Sequence, residues 1–298
     1  MLDGVTRRKI RLPESGVEIA LLDWGGQGPP ALLHHANGFC AALWAPVAEL
    51  LRSQFRIIAL DARGHGDSPR PDKRDAFRWE ALASDLIEVG KLLLQELQVE
   101  RFALGLGHSF GGTLTLAAAA RADLYQRIVL LDPVLYPAGT PKESRRGGEL
   151  AVRARKRRAV WGSRAEAREF FLSKPLFADW QPEAVEIYLA EGLRDRADGQ
   201  VELKCDPEVE ALIFEAPPDL GNEGSGSRLR VPALLIWASR GNFPLATYQG
   251  IVGRMRAGTL EEMDVGHLAP MEQPDRVAEA VLRFCKTSEA SEAFPSSA

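Results

Sequence analysis

The sequence predicts an α/β protein with a mostly parallel sheet, flanked by helices and interrupted by a helical insertion. Three observations carry this prediction. Short runs that are apolar on both faces alternate with helical patterns, as is typical of strands buried in a parallel sheet. The 298 residues, 45% of them hydrophobic, suffice for a sizeable core. The alternation breaks between about Asp132 and Leu229, where helix signals continue without a convincing strand.

The individual elements follow from their patterns. The clearest helix has apolar residues from Leu82 to Leu97 at spacings of three and four, which place one stripe on the sheet. A second helix is predicted from Pro274 to Phe284. The predicted strands are Ala20–Leu22, Ala31–Leu33, Ile57–Leu60, Phe102–Leu106, Ile128–Leu131, Ala233–Trp237 and a candidate last strand, Leu260–Val265.

The break in the alternation predicts the domain organisation. Residues 1–134 and 230–286 are expected to form the core, and residues 135–229 a helical cap. Because the insertion follows a strand that ends at Leu131, it is expected over the carboxyl edge of the sheet, where ligands bind in open α/β folds. Residues 287–298 are rich in Ser, Ala and Glu and are predicted to be a disordered tail.

Local signals describe the inside of the insertion. Ser163 followed by Glu166 is the pattern of a capping box that opens a helix, and Pro182 opens another. Gly221 to Ser227 is interpreted as a flexible return to the core. The basic cluster from Arg145 to Arg158 is interpreted as a solvated helix face, with an anionic substrate or a lipid surface as the alternative.

Composition argues against several functional classes. A net charge of −4 gives no general attraction to nucleic acid or acidic membranes, so we expect a small-molecule partner and leave the oligomeric state open. Cys40, Cys205 and Cys285 lack metal-ligand spacing and suit reduced thiols. No signal-peptide pattern or membrane-spanning run is evident, and we expect a cytoplasmic protein.

The most specific chemical signal is Gly107-His108-Ser109-Phe110-Gly111. It lies between a predicted strand and the small-residue run Gly112 to Ala120, which indicates a strand, a sharp turn and a helix with Ser109 at the apex. Glycines two residues on either side leave little bulk at the bend, so the hydroxyl projects above the sheet as a nucleophile would. The alternative is a plain glycine-rich connection.

The serine needs a base, and the chain has five histidines. His267 follows the candidate last strand and precedes the last helix, so its loop opens at the same sheet edge as Ser109. It is the predicted base, with a structural loop-capping role as the alternative. The histidines that this reasoning sets aside are His34, His35, His65 and His108.

Several motifs in one order resemble the α/β-hydrolase fold superfamily, over about residues 17 to 286. They are His35-Ala36-Asn37-Gly38, Asp61 to Ser68, Gly107 to Gly111 and Gly266-His267. The resemblance implies an eight-stranded sheet with a cap inserted after the sixth strand, and a mechanism that needs no cofactor or metal. Related haloalkane dehalogenases and epoxide hydrolases carry an aspartate at the position of Ser109, which argues against their chemistry here.

The triad acid departs from the common pattern of this superfamily. Many relatives have an aspartate near the position of Gly241, where this sequence has no carboxylate. Asp132 ends the sixth strand, where some haloalkane dehalogenases keep their acid, and it is the predicted partner of His267. Asp264 is the runner-up, and a turn-capping role before Pro133 is the alternative for Asp132.

An acyl-transfer site also needs N–H donors for the oxyanion. The backbone N–H of Phe110, next to the nucleophile, is one candidate. The resemblance implies a second donor from the loop after His35, with Asn37 as the best register and Ala36 or Phe39 as alternatives. Asn37-Gly38 is also compatible with a simple turn.

Together these features predict a serine hydrolase that cleaves carboxylic esters of small or medium apolar molecules through an acyl-enzyme on Ser109. A carbon–carbon bond hydrolase or a cofactor-free perhydrolase with the same triad, or a receptor for a small ligand, remains an alternative. Trp161 and Phe243 are predicted to line the substrate pocket. They belong to a set of aromatic residues that core packing explains equally well: Trp44, Trp161, Phe170, Phe171, Phe177, Trp180, Tyr188 and Phe243.

Overall fold

A computed structural model describes residues 2–137, 140–141, 147–216 and 225–293. The strands in this part of the chain are β1 (Thr6–Arg11), β2 (Glu18–Gly25), β3 (Pro30–His34), β4 (Arg56–Leu60), β5 (Leu104–His108), β6 (Ile128–Leu131), β7 (Val160–Trp161), β8 (Leu193–Asp195), β9 (Val201–Leu203), β10 (Ala233–Arg240) and β11 (Gly258–Gly266). Eight of them form the main sheet, in the order β1-β2-β4-β3-β5-β6-β10-β11. Strand β2 pairs antiparallel with β1 and β4, and every other pair in this sheet is parallel.

The main sheet confirms the predicted fold class. Strands β3, β5 and β6 are buried along their whole length, which explains why they appear as continuous apolar runs. Neighbouring residues point to opposite faces, so Leu33 joins one hydrophobic core and Leu32 the other. Strand β1 is not among the predicted strands because it is a largely exposed edge strand with the sequence TRRKIR.

Helices cover both faces of the main sheet. The described helices are α1 (Ala45–Leu51), α2 (Trp79–Leu97), α3 (Phe110–Arg121), α4 (Gly148–Arg155), α5 (Arg164–Leu172), α6 (Pro182–Glu191), α7 (Pro207–Glu215), α8 (Ser225–Arg228), α9 (Leu245–Val252), α10 (Ala269–Glu272) and α11 (Pro274–Ala293). Helix α2 buries Leu82, Leu86, Val89 and Leu93 of the predicted stripe, and Leu97 at its end is partly buried. No helix within the described residues is both long and apolar enough to cross a membrane.

Between β6 and β10 lies the segment that we call the cap (residues 135–229), with helices α4 to α8. It also contains an antiparallel sheet in the order β7-β9-β8, so the expectation of an insertion without strands is wrong. These strands are only two or three residues long and leave no apolar run to detect. Ser163 Oγ accepts the N–H of Glu166 at 3.1 Å, and the Glu166 carboxylate accepts the N–H of Gly162.

The end of the chain corrects one prediction. Helix α11 continues to Ala293, so residues 287–293 are helical rather than part of a disordered tail. Alanine and glutamate favour helix, which explains why a run without an apolar pattern continues the preceding helix. Residues 294–298 and 221–224 lie outside the described residues, and the remainder of the predicted return, from Ser225, begins α8.

Candidate active site

The turn between β5 and α3 presents Ser109 in a strained backbone conformation. Its φ is 54° and its ψ is −117°, outside the regions that non-glycine residues prefer. The glycines around it are required by close packing: a Cβ at Gly107 would lie 2.4 Å from the Gly111 carbonyl oxygen, and one at Gly111 would lie 2.4 Å from the His34 carbonyl oxygen. The bend therefore tolerates no larger residue at these two positions without movement.

Three predicted site residues from distant parts of the chain meet at this turn. The Ser109 hydroxyl donates to His267 Nε2 at 2.8 Å, and His267 Nδ1–H donates to Asp132 Oδ2 at 2.6 Å. The proton is assigned to Nδ1 because that nitrogen faces a carboxylate. The Asp132 side chain is 1% exposed and that of His267 is 21% exposed, so the base is the member of the set with access to solvent.

The surroundings of Asp132 explain why the carboxylate comes from β6. Its second oxygen, Oδ1, accepts the N–H of Ala238 at 3.4 Å and lies 2.9 Å from the Tyr248 hydroxyl, whose single proton also has the Pro133 carbonyl oxygen at 2.8 Å. Asp132 has a positive φ of 38° at the end of the strand. A Cβ at Gly241 would lie 2.5 Å from Asp132 Oδ2. A side chain at position 241 would enter the space that the Asp132 carboxylate occupies. An acid on β6 therefore requires a residue without a side chain, such as Gly241, at this position.

The runner-up acid lies elsewhere. Asp264 is on β11, and its side chain is 81% exposed. Its carboxylate lies 3.3 Å from Arg240 Nε and 3.4 Å from Ser239 Oγ. The strand alternation turns this residue toward solvent, and it makes no contact with His267 among the described hydrogen bonds and ion pairs.

The candidate oxyanion donors differ in whether their backbone N–H groups already have a hydrogen-bond acceptor. Phe110 is the first residue of α3, where a backbone N–H has no acceptor within the helix. The N–H of Phe39 donates to the Ala36 carbonyl at 3.2 Å, so it is committed within the loop. The Asn37 side chain donates from Nδ2 to the Glu210 carbonyl of the cap at 3.1 Å. This bond fixes the Asn37 side chain, and the backbone N–H of Asn37 stays a predicted donor with that of Ala36 as its alternative.

The remaining four histidines surround the site as buried, neutral rings. Burial, reinforced by neighbouring histidines, lowers the pKa of His34 and of His108 to about 3, and burial lowers that of His35 to about 4. His108 Nε2–H donates to the His267 carbonyl at 2.7 Å, so it supports the base loop from the backbone. His35 Nε2 accepts the N–H of Ala62 at 3.0 Å. These rings are structural parts of the site rather than alternative bases.

A small apolar cavity is lined by His108, which precedes Ser109, and by Pro270 and Met271, which follow His267 by three and four residues. Its volume is about 10 Å³, room for roughly one water molecule. The side chains around it are mainly apolar or aromatic. They are His35, Ala36, Phe39, Leu43, Trp44, His108, Pro270 and Met271.

Neither aromatic residue predicted for the pocket lines this cavity. Trp161 is fully buried in the cap, with its ring 5.1 Å from that of Phe171. Phe243 lies beside Tyr248, with ring centroids 6.2 Å apart. The cap must bury apolar side chains of its own to be stable, and the sequence does not distinguish those aromatic residues from cavity residues.

Three arginines of the basic cluster form ion pairs with carboxylates of the cap. Arg155 pairs with Glu208 at 2.7 Å, Arg157 with Glu210 at 2.9 Å and Arg158 with Glu166 at 2.5 Å. Arg145 and Arg146 lie outside the described residues. The pairs favour an ion-paired helix face over a site for an anionic substrate or lipid. In the described part of the chain, no group of three His, Cys, Asp or Glu side chains is arranged to hold a metal ion.

Sequence reasoning missed two residues that the structure brings to the site. Tyr248 lies in α9 and touches Asp132, and Glu210 lies in α7 and touches the loop after His35. Each is separated from its contact by more than 100 residues, 116 for Tyr248 and 173 for Glu210. No local pattern in the sequence marks them, since tyrosine and glutamate are both ordinary residues on a helix.

Comparisons with known proteins agree with this architecture. Fluoroacetate dehalogenase from a Burkholderia species is 33% identical over 115 residues, 38% of this chain and 35% of that protein, so the match spans about a third of this relative's length. Haloalkane dehalogenase 2 of Mycobacterium tuberculosis is 27% identical over 279 residues, 86% of this chain and 88% of the relative. The crystal structure of E-2-(acetamidomethylene)succinate hydrolase superposes with a TM-score of 0.79 at 18% identity, covering 95% of this chain and 99% of its own.

The structural likeness at this identity supports the fold alone. The sequence model of the alpha/beta hydrolase family, however, matches residues 31–280, which include β3, the turn at Ser109, the cap and the His267 loop. The chain belongs to the alpha/beta hydrolase family.

Proposed function

We propose that the protein is a serine hydrolase that cleaves carboxylic esters of small or medium apolar molecules. The observation that carries the proposal is the continuous hydrogen-bonded chain from Ser109 through His267 to Asp132, with distances of 2.8 and 2.6 Å. A serine hydroxyl is a weak nucleophile by itself, and an adjacent base held in one tautomer by a buried carboxylate is the arrangement that activates it.

In the proposed reaction, Ser109 Oγ attacks the ester carbonyl while His267 Nε2 takes its proton. The tetrahedral oxyanion is held by the backbone N–H groups of Phe110 and Asn37, and each such donor typically contributes ~3 kcal/mol to the transition state. His267 then gives its proton to the departing alcohol, which leaves an acyl group on Ser109. Water, deprotonated by His267, attacks the acyl-enzyme, and His267 returns this proton to Ser109 Oγ as the bond to the acyl group breaks and the acid leaves. Asp132 stabilises the imidazolium in both steps.

Two further observations support this proposal. The nucleophile is a serine, whereas the dehalogenases of the resembling superfamily use an aspartate at that position, so alkyl-enzyme chemistry is not favoured here. The walls of the cavity are largely apolar, which suits an uncharged acyl or alcohol group. The cavity is small, with room for about one water molecule, so we expect short acyl groups to be the better substrates.

The test is steady-state hydrolysis of p-nitrophenyl esters from acetate to decanoate, with Ser109→Ala measured beside the unmodified protein. We expect a rate that depends on Ser109 and peaks toward the short end of the series. A rate equal to that of the alanine variant on every ester would exclude a general esterase and shift attention to a carbon–carbon bond hydrolase or a non-hydrolytic ligand receptor.

A further inference from the structure

We infer that the Arg157–Glu210 ion pair of the cap positions the oxyanion loop, here defined as residues 36–39, so that an efficient site requires the cap in its docked position. This inference rests on the proposed function. Arg157 and Glu210 are positioning residues, because neither lies in the Ser109–His267–Asp132 chain.

Glu210 touches the oxyanion loop in two ways. Its backbone carbonyl accepts the Asn37 side-chain amide at 3.1 Å. Its carboxylate packs against Gly38, where an added Cβ would lie 2.8 Å from Glu210 Cδ and Oε1. Gly38 has a φ of +80°, so the loop makes a glycine-dependent bend at the point of contact. The cap helix α7 therefore sets the position of two successive loop residues.

Arg157 ties this contact to a third loop residue. Its guanidinium donates to Glu210 Oε2 at 2.9 Å and to the Tyr188 hydroxyl at 2.5 Å. The Tyr188 ring lies against Phe39, with centroids 5.6 Å apart, and Phe39 is part of the cavity wall. One arginine thus links the two cap groups that contact residues 37, 38 and 39.

A residue of the core also holds this loop. His65 Nε2 lies 3.1 Å from both Gly38 N and Asn37 Oδ1, and the His65 ring is completely buried. The loop is therefore clamped between a rigid core residue and a cap pair. The side chains of Arg157 and Glu210 are only 18% and 14% exposed, so their interaction is less screened by solvent than the surface ion pairs of the cap.

The position of this loop matters because an oxyanion donor acts only when it points at the developing charge. A donor displaced by about 1 Å loses most of its effect on the oxyanion, whereas the ground-state carbonyl oxygen carries less negative charge and depends on that donor less. Breaking the pair is therefore expected to lower kcat more than it changes KM. If the pair only stabilised the fold, its loss would lower the melting temperature without lowering kcat more than it changes KM.

The chain provides a matched control on the same two helices and their flanks. Arg155 also pairs with α7, through Glu208 and Glu215, but those carboxylates do not touch the loop. Arg157→Met and Arg155→Met each remove one arginine that binds α7, and only the first disturbs the oxyanion loop. Kinetics with a p-nitrophenyl ester, the inhibition constant of butylboronic acid and the melting temperature are measured for both. The boronic acid forms a tetrahedral adduct on a serine nucleophile and reports on the oxyanion donors.

For Arg157→Met we expect kcat to fall about 10- to 100-fold, part of the loss that removal of one donor causes, with KM within about threefold of the unmodified value. The inhibition constant of butylboronic acid should rise by the same factor as kcat/KM falls. Arg155→Met should stay within about twofold in kcat. Equal kcat values for the two variants, or a change in KM alone, would overturn the inference.

Glu210→Gln provides a second test of the inference in case Arg157→Met does not fold. This change retains the backbone carbonyl that binds Asn37 and the shape of the side chain, and removes only the charge. We expect a fall in kcat of about threefold to tenfold, because the Arg157 guanidinium then faces a neutral amide oxygen instead of a carboxylate and the hydrogen bond between them weakens. An unchanged kcat would refute the positioning role. A lack of serine-dependent turnover in the unmodified protein would instead contradict the proposed function.

Discussion

Lowering the pH from about 7.5 to about 5 is expected to destabilise the protein, because buried histidines around the site must stay neutral in the folded state. Burial lowers the pKa of His34 to about 3, of His35 to about 4 and of His108 to about 3, from an ordinary value of 6.5. Below pH 6.5 the unfolded chain therefore binds more protons than the folded one. The free energy of unfolding falls as the pH falls through this window.

The size of the loss follows from the same pKa values. At pH 5, protonation of each of these histidines stabilises the unfolded chain by about 2 kcal/mol relative to the folded chain. The three together therefore lower the free energy of unfolding by about 6 kcal/mol. Asp61 opposes this trend because burial raises its pKa from 3.8 to about 6. Its protonation at pH 5 favours the folded state by about 1.4 kcal/mol. The net loss of about 5 kcal/mol is comparable to the whole stability of many domains.

The measurement is urea unfolding followed by circular dichroism at intervals of half a pH unit from 7.5 to 4.5. Between pH 6 and pH 5 the three histidines contribute a slope of about 4 kcal/mol per pH unit, at about 1.4 for each proton, and Asp61 reduces it by up to about 1.4. His34→Asn removes one of the three histidines that titrate in the unfolded chain, so the slope should fall by about 1.4 kcal/mol per pH unit. A free energy of unfolding that stays constant down to pH 4.5, or the same slope in His34→Asn, would refute the reasoning.

Three further predictions concern the carboxylate of the candidate triad. Asp132→Asn is expected to lower kcat by about 10⁴-fold through the loss of the correct tautomer of His267, whereas Asp264→Asn should remain within about twofold; comparable losses in both would contradict the assignment. Gly241→Ala should lower kcat/KM at least tenfold, because its Cβ would meet Asp132 Oδ2 at 2.5 Å, and normal kinetics in this variant would show that the carboxylate is free to move. Tyr248→Phe removes the hydroxyl that lies 2.9 Å from Asp132 Oδ1 and 2.8 Å from the Pro133 carbonyl oxygen. Because a hydrogen bond to a carboxylate stabilises its charged form, kcat should fall by up to about tenfold, and an unchanged pH–rate profile and kcat would argue against this role.

Much of the fold was accessible from local sequence patterns. The stripe from Leu82 to Leu93 predicts α2, and the apolar runs predict the buried parallel strands, because burial on one or both faces leaves a periodic record in the chain. Ser109, His267 and Asp132 were also accessible as candidates, since each sits at the end of a strand in a recognisable order. Strand β1 and the short cap strands were not, because exposed or two-residue strands leave no such record.

The tertiary structure decided what depends on contacts between distant residues. It separated Asp132 from Asp264, whose positions in sequence both suit an acid, by burying one beside His267 and exposing the other. It placed Trp161 in the core of the cap, and it brought Glu210 against a loop more than 100 residues away and Arg157 against Glu210. Sequence alone determined which chemical groups this protein has at the ends of its strands. Only packing decided which of them touch, because side-chain direction and the docking of the cap depend on long-range contacts that no local pattern encodes.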